Sequence, residues 1–373
     1  MPVKRNFEYE DDAKHHDAEL KSAVRAGTYI DDRAAKVTFQ QYAEEWRRTK
    51  THGYATAERL ERGLRNHCYP VIGDIPMAVL GRRVSLMRDW IAGLDLQPNT
   101  ARLLISDVSA IFHAAIDDRL IARNPVKARS VEKPKEVKGD VVAWSAVQVG
   151  AVARELPERL AAMAWLGAVT GMRQGELFGL ALEDVDFLRR TVRVEAQVVQ
   201  LGSGTAFGPI KNRKPRTVPL ARPVVPLLSQ HIREFTPVPV TLPWSHKKDR
   251  RRDGRPVTRT LLFADPRGAA WYKQTVNRSW RKAWQSAGVP DLGRANGMHV
   301  LRHTAASHWL SGGLNPAKVA DYLGDTVAMV LKTYAHFVPG DDDLGRAIMD
   351  GFIDPSGEGS TASDRPHNAL GGA

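Results

Sequence analysis

The sequence predicts a mostly α-helical protein with a small antiparallel β-sheet, built as an N-terminal helical domain followed by an α+β domain. Three observations carry this. Apolar residues recur at helical spacing in segment after segment of the 373-residue sequence. Two stretches, 191–200 and 217–220, instead alternate over β-branched residues. Between the helical and mixed regions lies a basic run at 128–140, containing Lys133, Pro134, Lys135, Lys138 and Gly139, with no sustained apolar period.

Residues 1–36 come first. Positions 7–25 carry many acids and read as an exposed helical arm, or the remnant of one. In the helical domain, 37–127, Phe39, Tyr42, Ala43 and Trp46 form one face. Leu60, Leu64 and His67 extend the pattern up to a break at Pro70 and Gly73. A helix is expected at 86–91. A longer one opens at Asn99 or Thr100 and carries Leu103, Leu104, Val108, Ile111, Phe112, Ala115 and Ile116. Asn124-Pro125 closes a set of about four helices. After the linker at 128–140, the α+β domain is expected to span 141–350. A helix is expected at 155–169 and a shorter one at 175–180. A strand follows at 191–200, and the basic segment 211–220 forms the far side of the same sheet. A basic insertion, 247–259, precedes a short strand at 261–263. Helices resume at 272–287, 300–312, 316–323 and 327–335. A glycine- and serine-rich tail, 351–373, is expected to be disordered.

Composition narrows the function. The formal net charge is +12, and arginine outnumbers lysine by 37 to 17. An excess of planar guanidinium forks suits a polyanionic partner, although genomic base composition can produce the same bias. Cys68 is the single cysteine, which excludes an internal disulfide framework and a multi-cysteine zinc site. The charged start lacks the apolar core of a secretory signal, and the apolar stretch 161–169 is too short to span a bilayer. The expectation is a cytoplasmic protein with no membrane partner.

Several residues can carry chemistry, and each alone has an ordinary reading. His299 and Arg302 stand three apart at a helix start and share a face. Arg173 follows a Thr-Gly turn and precedes a helix containing Glu176, which can pair with it or cap the helix. Lys211 lies in a basic strand where solvated lysines are common. Tyr334 alone is an amphipathic core residue. Their order and context carry more. The segments Thr-Gly-Met-Arg-Gln-Gly-Glu-Leu (170–177), Lys-Asn-Arg-Lys-Pro-Arg-Thr-Val-Pro-Leu (211–220), His-Val-Leu-Arg-His-Thr-Ala-Ala-Ser (299–307) and Leu-Lys-Thr-Tyr-Ala-His (331–336) together resemble the tyrosine recombinase, or phage-integrase-like, family. The resemblance covers about 37–338.

That resemblance implies catalytic roles for Arg173, Lys211, His299, Arg302 and the nucleophile Tyr334, with Glu176 supporting the arginine region. It also implies a core-DNA-binding helical domain and a catalytic domain that grip duplex DNA as a clamp. The two arginines would hold the non-bridging oxygens of the scissile phosphate. His299 would accept the phenolic proton or bond the phosphate, and Lys211 would protonate the departing 5′ oxygen. The product would be a 3′-phosphotyrosyl bond whose retained energy makes rejoining independent of ATP. No cofactor or metal is implied, because the arginines and lysine supply the positive charge. Implied partners are double-stranded attachment or core sites, a homotetramer on DNA, and a directionality factor or host DNA-bending protein as accessories. One position departs from the pattern. Asp325, nine before the tyrosine, stands where family members commonly carry histidine or tryptophan. Ionised, it cannot donate to a phosphate; it either orients a neighbouring cation or is protonated in the assembled site.

Thr38-Phe39 with Tyr42, and Leu242-Pro243-Trp244, look more like actinobacterial phage-type integrases than chromosome-dimer resolution recombinases. Integration or excision of a phage or mobile element is therefore the expected role. The alternatives are chromosome or plasmid resolution, a type IB topoisomerase-like enzyme, or a catalytically impaired DNA-binding regulator. The segment before the helical domain is short for an arm-binding module with its connecting helix. The expectation is an enzyme that acts on simple core sites, or a start codon placed inside a longer gene.

Overall fold

The computed structural model describes residues 9–25, 36–137, 139–202, 204–211, 214–246, 251–339, 346 and 349. The expected tail and the 247–250 part of the basic insertion lie outside them.

Helix α1 (Glu10–Arg25) precedes six helices in the first half: α2 (Phe39–Thr49), α3 (Tyr54–His67), α4 (Tyr69–Ile72), α5 (Met77–Arg82), α6 (Val84–Ala92) and α7 (Pro98–Asp117). Four of the six are long, as expected, and α4 and α5 are additions. The pattern breaks as expected, with α3 ending at His67 and α4 capped by Gly73, and Pro70 sits in the first turn of α4, where proline forfeits no hydrogen bond. A capping box starts α2: Thr38 accepts from the Gln41 backbone, and the Gln41 side chain accepts from the Thr38 backbone. The predicted face of α2 (Phe39, Tyr42, Ala43 and Trp46) is buried. It packs with Leu60, Leu64, Cys68, Trp90, Val108 and Phe112 in one apolar core. Leu103, expected on the inner face of α7, is exposed.

From 128 the chain runs along α7, and its described residues form no helix or strand until α8. Asn99 exchanges hydrogen bonds with the Val137 backbone, and Arg102 donates to the Pro134 carbonyl. The second half begins with α8 (Ala146–Glu155), α9 (Glu158–Thr170) and α10 (Gln174–Phe178). The helix expected at 155–169 is α9, which starts after Pro157, and α8 before it was not expected. Strands β1 (Val185–Asp186), β2 (Thr191–Val194), β3 (Ala196–Leu201), β4 (Gly204–Pro209) and β5 (Arg216–Pro219) follow. Helix α11 (Val224–Glu234) leads to β6 (Val238–Pro243) and β7 (Pro256–Leu261). The expected single sheet is three small antiparallel ones, β1-β2-β5, β3-β4 and β6-β7. The run 191–200 changes partner at Glu195: Val194 pairs with Arg216, whereas Ala196 pairs with Pro209. Lys211 consequently lies in a turn between β4 and β5, not in a strand.

Helices α12 (Lys273–Ser286), α13 (His299–Ser311), α14 (Pro316–Leu323) and α15 (Val327–Tyr334) follow. The main core of this second half gathers α8, α9, α12 and the inner faces of the sheets, including the stacked rings of Trp144 and Trp280. A smaller cluster joins Leu310, Val319, Leu323, Val330 and Tyr334, packing α13, α14 and α15 together. Among the described residues, no helix is long and apolar enough to cross a membrane.

Candidate active site

Four chain segments meet where α9, α13, α14 and α15 converge. Helix α9 ends at Gly171, whose backbone is left-handed (φ 62°). A side chain there would also lie 2.7 Å from Leu323 Cδ2, so the position is fitted to glycine twice over. The turn frees the Gly171 carbonyl, which accepts from Arg302 Nη1 at 2.9 Å. Two residues on, Arg173 caps α10, and its backbone N–H donates to Glu176 Oε2 at 2.8 Å.

Glu176 is fully buried. It accepts from Arg216 Nη2 at 2.6 Å and Nη1 at 3.1 Å, and from Arg173 Nη1 at 3.1 Å. Burial raises the pKa of this carboxyl, but the bonds and charges of Arg216 and Arg173 outweigh it and leave the group below its ordinary range. Arg216, at the start of β5, also donates from Nε to the Tyr322 carbonyl at 2.7 Å. Its guanidinium passes close to Gly324 (φ 64°), where an added Cβ would stand 3.2 Å from Arg216 Cδ. Glu176 and Arg216 thereby clamp α10, β5 and the end of α14 together behind Arg173.

Asp325 follows that glycine. Its Oδ1 accepts from Arg173 Nη2 at 2.7 Å and its Oδ2 from Arg302 Nη2 at 2.5 Å, so one carboxylate spans both arginines. The cations beside Asp325 are thus the two motif arginines. Arg302 is 2% exposed. Burial and the adjacent Arg173 charge lower its pKa, and Asp325 opposes them.

Helix α13 places His299, Arg302 and His303 on one face. Desolvation by the groups packed around its ring, then the neighbouring His303, Arg302 and Arg173, bring His299 down to about 4 against the opposing pull of Asp325, although much of its own surface is exposed. His299 meets His303 edge-on, with centroids 4.8 Å apart. The Tyr334 ring is seated in the small apolar cluster and is 5% exposed. Burial pushes its hydroxyl up to about 12; the charges of Arg302 and Arg173 pull it down, and Asp325 pushes it up. The hydroxyl lies 2.8 Å from His303 Nδ1.

The fold therefore brings together Arg173, Glu176, His299, Arg302, Asp325 and Tyr334. Lys211 is exposed in its turn, and no described contact joins it to the cluster. Two residues of the cluster, Arg216 and His303, were not singled out from sequence. Both stand inside recognisable segments, and His303 lies four positions after His299 on the same helical face.

The family model for the phage integrase family matches residues 146–339. The integrase of Mycobacterium phage D29 is 26% identical over 324 residues, covering 85% of this chain and 79% of that protein. A tyrosine recombinase XerC-like protein of Caldanaerobacter subterraneus subsp. tengcongensis is 25% identical over 263 residues, or 64% and 63% of the two chains. The fold is similar to that of the Tn1549 transposon integrase, solved in complex with transposon right end DNA. That match has a TM-score of 0.67 at 20% identity and covers 85% of this chain and 100% of that one. A lambda integrase dimer bound to a COC′ core site matches with a TM-score of 0.61 at 17% identity, covering 87% and 85%. With the family match spanning more than half of the sequence, the chain belongs to the phage integrase family and is a tyrosine-type site-specific DNA recombinase.

Proposed function

We propose that this recombinase breaks and rejoins duplex DNA with Tyr334 as nucleophile, and that it integrates or excises a phage or mobile element. The observation that carries the site assignment is the pair Arg173 and Arg302, each presenting an Nη2 to one oxygen of the same carboxylate beside the buried phenol. Two donors that share the two oxygens of one anion suit the two non-bridging oxygens of a scissile phosphate. Their charges also favour the phenolate, offsetting part of the cost of burying it.

In this reading the phosphate displaces Asp325 from the arginines, which stay aimed because Glu176 and the Gly171 carbonyl hold them from behind. Attack by the Tyr334 oxygen forms the 3′-phosphotyrosyl bond. Lys211 protonates the 5′ oxygen, reaching in from its turn when DNA is bound. A 5′ hydroxyl from a second duplex then reverses the step. The helical half, 37–127, and the catalytic half, 141–350, close on opposite sides of a double-stranded core site, joined by the linker at 128–140. Four protomers assemble on two duplexes in the cytoplasm, with a directionality factor or host bending protein as accessory. The mycobacteriophage relative supports the integrase role over resolution.

The test is a nicked suicide duplex carrying the attachment core from the element's junctions. The wild-type chain is expected to form a covalent adduct at the 3′ side, and Tyr334→Phe none. An adduct that persists in Tyr334→Phe would sink the assignment.

A further inference from the structure

We propose that His303, and not the motif histidine His299, takes the proton from Tyr334 during cleavage. This rests on the reading of Tyr334 as nucleophile. Among the described residues, the Tyr334 hydroxyl has its hydrogen bond with His303 Nδ1, at 2.8 Å. The two rings are tilted at 57° with centroids 5.6 Å apart, so they meet through that nitrogen and hydroxyl rather than by stacking. His299 meets the His303 ring edge-on instead. A general base must reach the proton it removes, at about 2.6–3.2 Å between heavy atoms. His303 meets that condition.

The surroundings fit the role. The groups facing His303 and the phenol are His299 and Arg302 on α13, Arg173 before α10, Asp325 after α14 and Tyr334 itself on α15. Burial, then the Arg302 charge, keeps His303 below its ordinary titration range, so near neutral pH it is an uncharged acceptor. The phenol meanwhile holds its proton. Nothing moves in the resting site. The balance changes when the phenolic oxygen begins to bond phosphorus, because its lone pair is withdrawn and its proton is released. At that moment the Oη–H bond breaks and the proton passes to Nδ1 of the Nε2–H tautomer. The Oη–P bond forms, the P–O5′ bond breaks, and the 5′ oxygen takes a proton from Lys211. The transferred phosphate, being anionic, stabilises the new imidazolium beside it. On rejoining, the imidazolium returns its proton to the departing phenolate, and Lys211 recovers its own from the attacking hydroxyl.

The tautomer is read first on the free full-length protein by long-range ¹⁵N–¹H NMR of its imidazoles. A resonance for His303 with Nε2 protonated and Nδ1 bare is expected; Nδ1 protonated would overturn the proposal without touching the identity of the nucleophile. Cleavage is then followed in single turnovers from pH 5.5 to 9.5 on saturating suicide duplex, for the wild-type, His303→Ala, His303→Asn and His299→Ala proteins. Removing a general base is expected to cost about 10²–10⁴-fold in rate. For His303→Ala and His303→Asn this loss should come with unchanged DNA binding, a rate that climbs with pH into the alkaline range, and, for the alanine variant, partial recovery with free imidazole. The asparagine variant covers the case in which alanine fails to fold, since its amide fills the place of Nδ1 without its basicity. A wild-type rate in His303→Ala overturns the proposal, as does full rescue by asparagine or loss of the pH limb in His299→Ala alone. Adduct formation by Tyr334→Phe would instead overturn the nucleophile reading.

Discussion

The two halves of the molecule solve burial differently. Among the described residues of the helical half, the buried polar side chains are Ser109 and Asn124, and Asn124 satisfies itself on the Ser109 carbonyl and hydroxyl. The α+β half buries Glu176, Asp184, Arg216, Arg259, Asp265 and Arg302. An uncompensated charge in a protein interior costs several kcal/mol, so each must be paired. Arg259 is held by Asp184 and Glu195, and Glu176 by Arg216 and Arg173. The helical half is stabilised by shape and apolar area, which tolerate conservative exchange. The α+β half is stabilised in part by a chain of charges in which removing one member exposes the rest. A reaction on a phosphate requires aimed cations, and aiming them ties the fold to the chemistry.

That contrast can be broken at Glu176. Glu176→Gln keeps the shape but leaves Arg216 without its counter-charge and Arg173 with Asp325 alone, and loss of one partner of a buried pair costs about 3–5 kcal/mol. Urea unfolding with hydrogen exchange should show the loss confined to the catalytic half, together with cleavage; an equal loss in the helical half would show that the two are one cooperative unit. Leu64→Ala is the mirror experiment. Leu64 is fully buried in the helical core, and the truncation should cost about 2–5 kcal/mol there. Cleavage of duplex at saturating protein should stay near wild type. Asp325→Asn comes next. It removes the anion spanning Arg173 and Arg302 and should cost about 1–3 kcal/mol in stability. The competitor for the phosphate disappears with it, so DNA affinity should rise by about tenfold, or roughly 1.4 kcal/mol. Weaker binding in a filter or gel-shift titration would show that the carboxylate supports the bound state.

The smallest effect is one of pH. His299 and His303 are both lowered from their ordinary value. The unfolded chain takes up those protons near pH 6.5, before the folded chain does, so stability falls as pH drops from 7 toward 4. Because His299 is open on one flank, solvent screening reduces the effect to on the order of 1 kcal/mol. Glu176, held below its ordinary range, acts in a lower window, where its contribution is lost as pH falls below about 4.5. Urea midpoints at pH 7, 5.5 and 4 separate the two, and a flat profile between 7 and 5 would contradict the histidine shifts.

Much of this site could be read before the fold, for a physical reason. Arg173, His299, Arg302 and Tyr334 stand at helix starts and ends, where spacing fixes direction. What could not be read depends on distant pairing. Asp325 meets Arg173 across 152 positions of sequence, and no local period reports that. The run 191–200 alternates without interruption while its partner strand changes, so one strand was expected where two sheets share the chain. Lys211 was placed in a strand because its neighbours 217–220 alternate, yet pairing begins only at Arg216. His303 was hidden by its likeness to any histidine on a packed helical face.

Cys68 is the single thiol of the chain, fully buried in the helical core, with burial pushing its pKa up. Thiol reagents attack the thiolate, so labelling requires that this core open. The rate of modification is thus a native clock for one half of the molecule alone. Timed with and without duplex DNA, it measures whether DNA changes how tightly the helical half is held, with no dye, tag or substitution added.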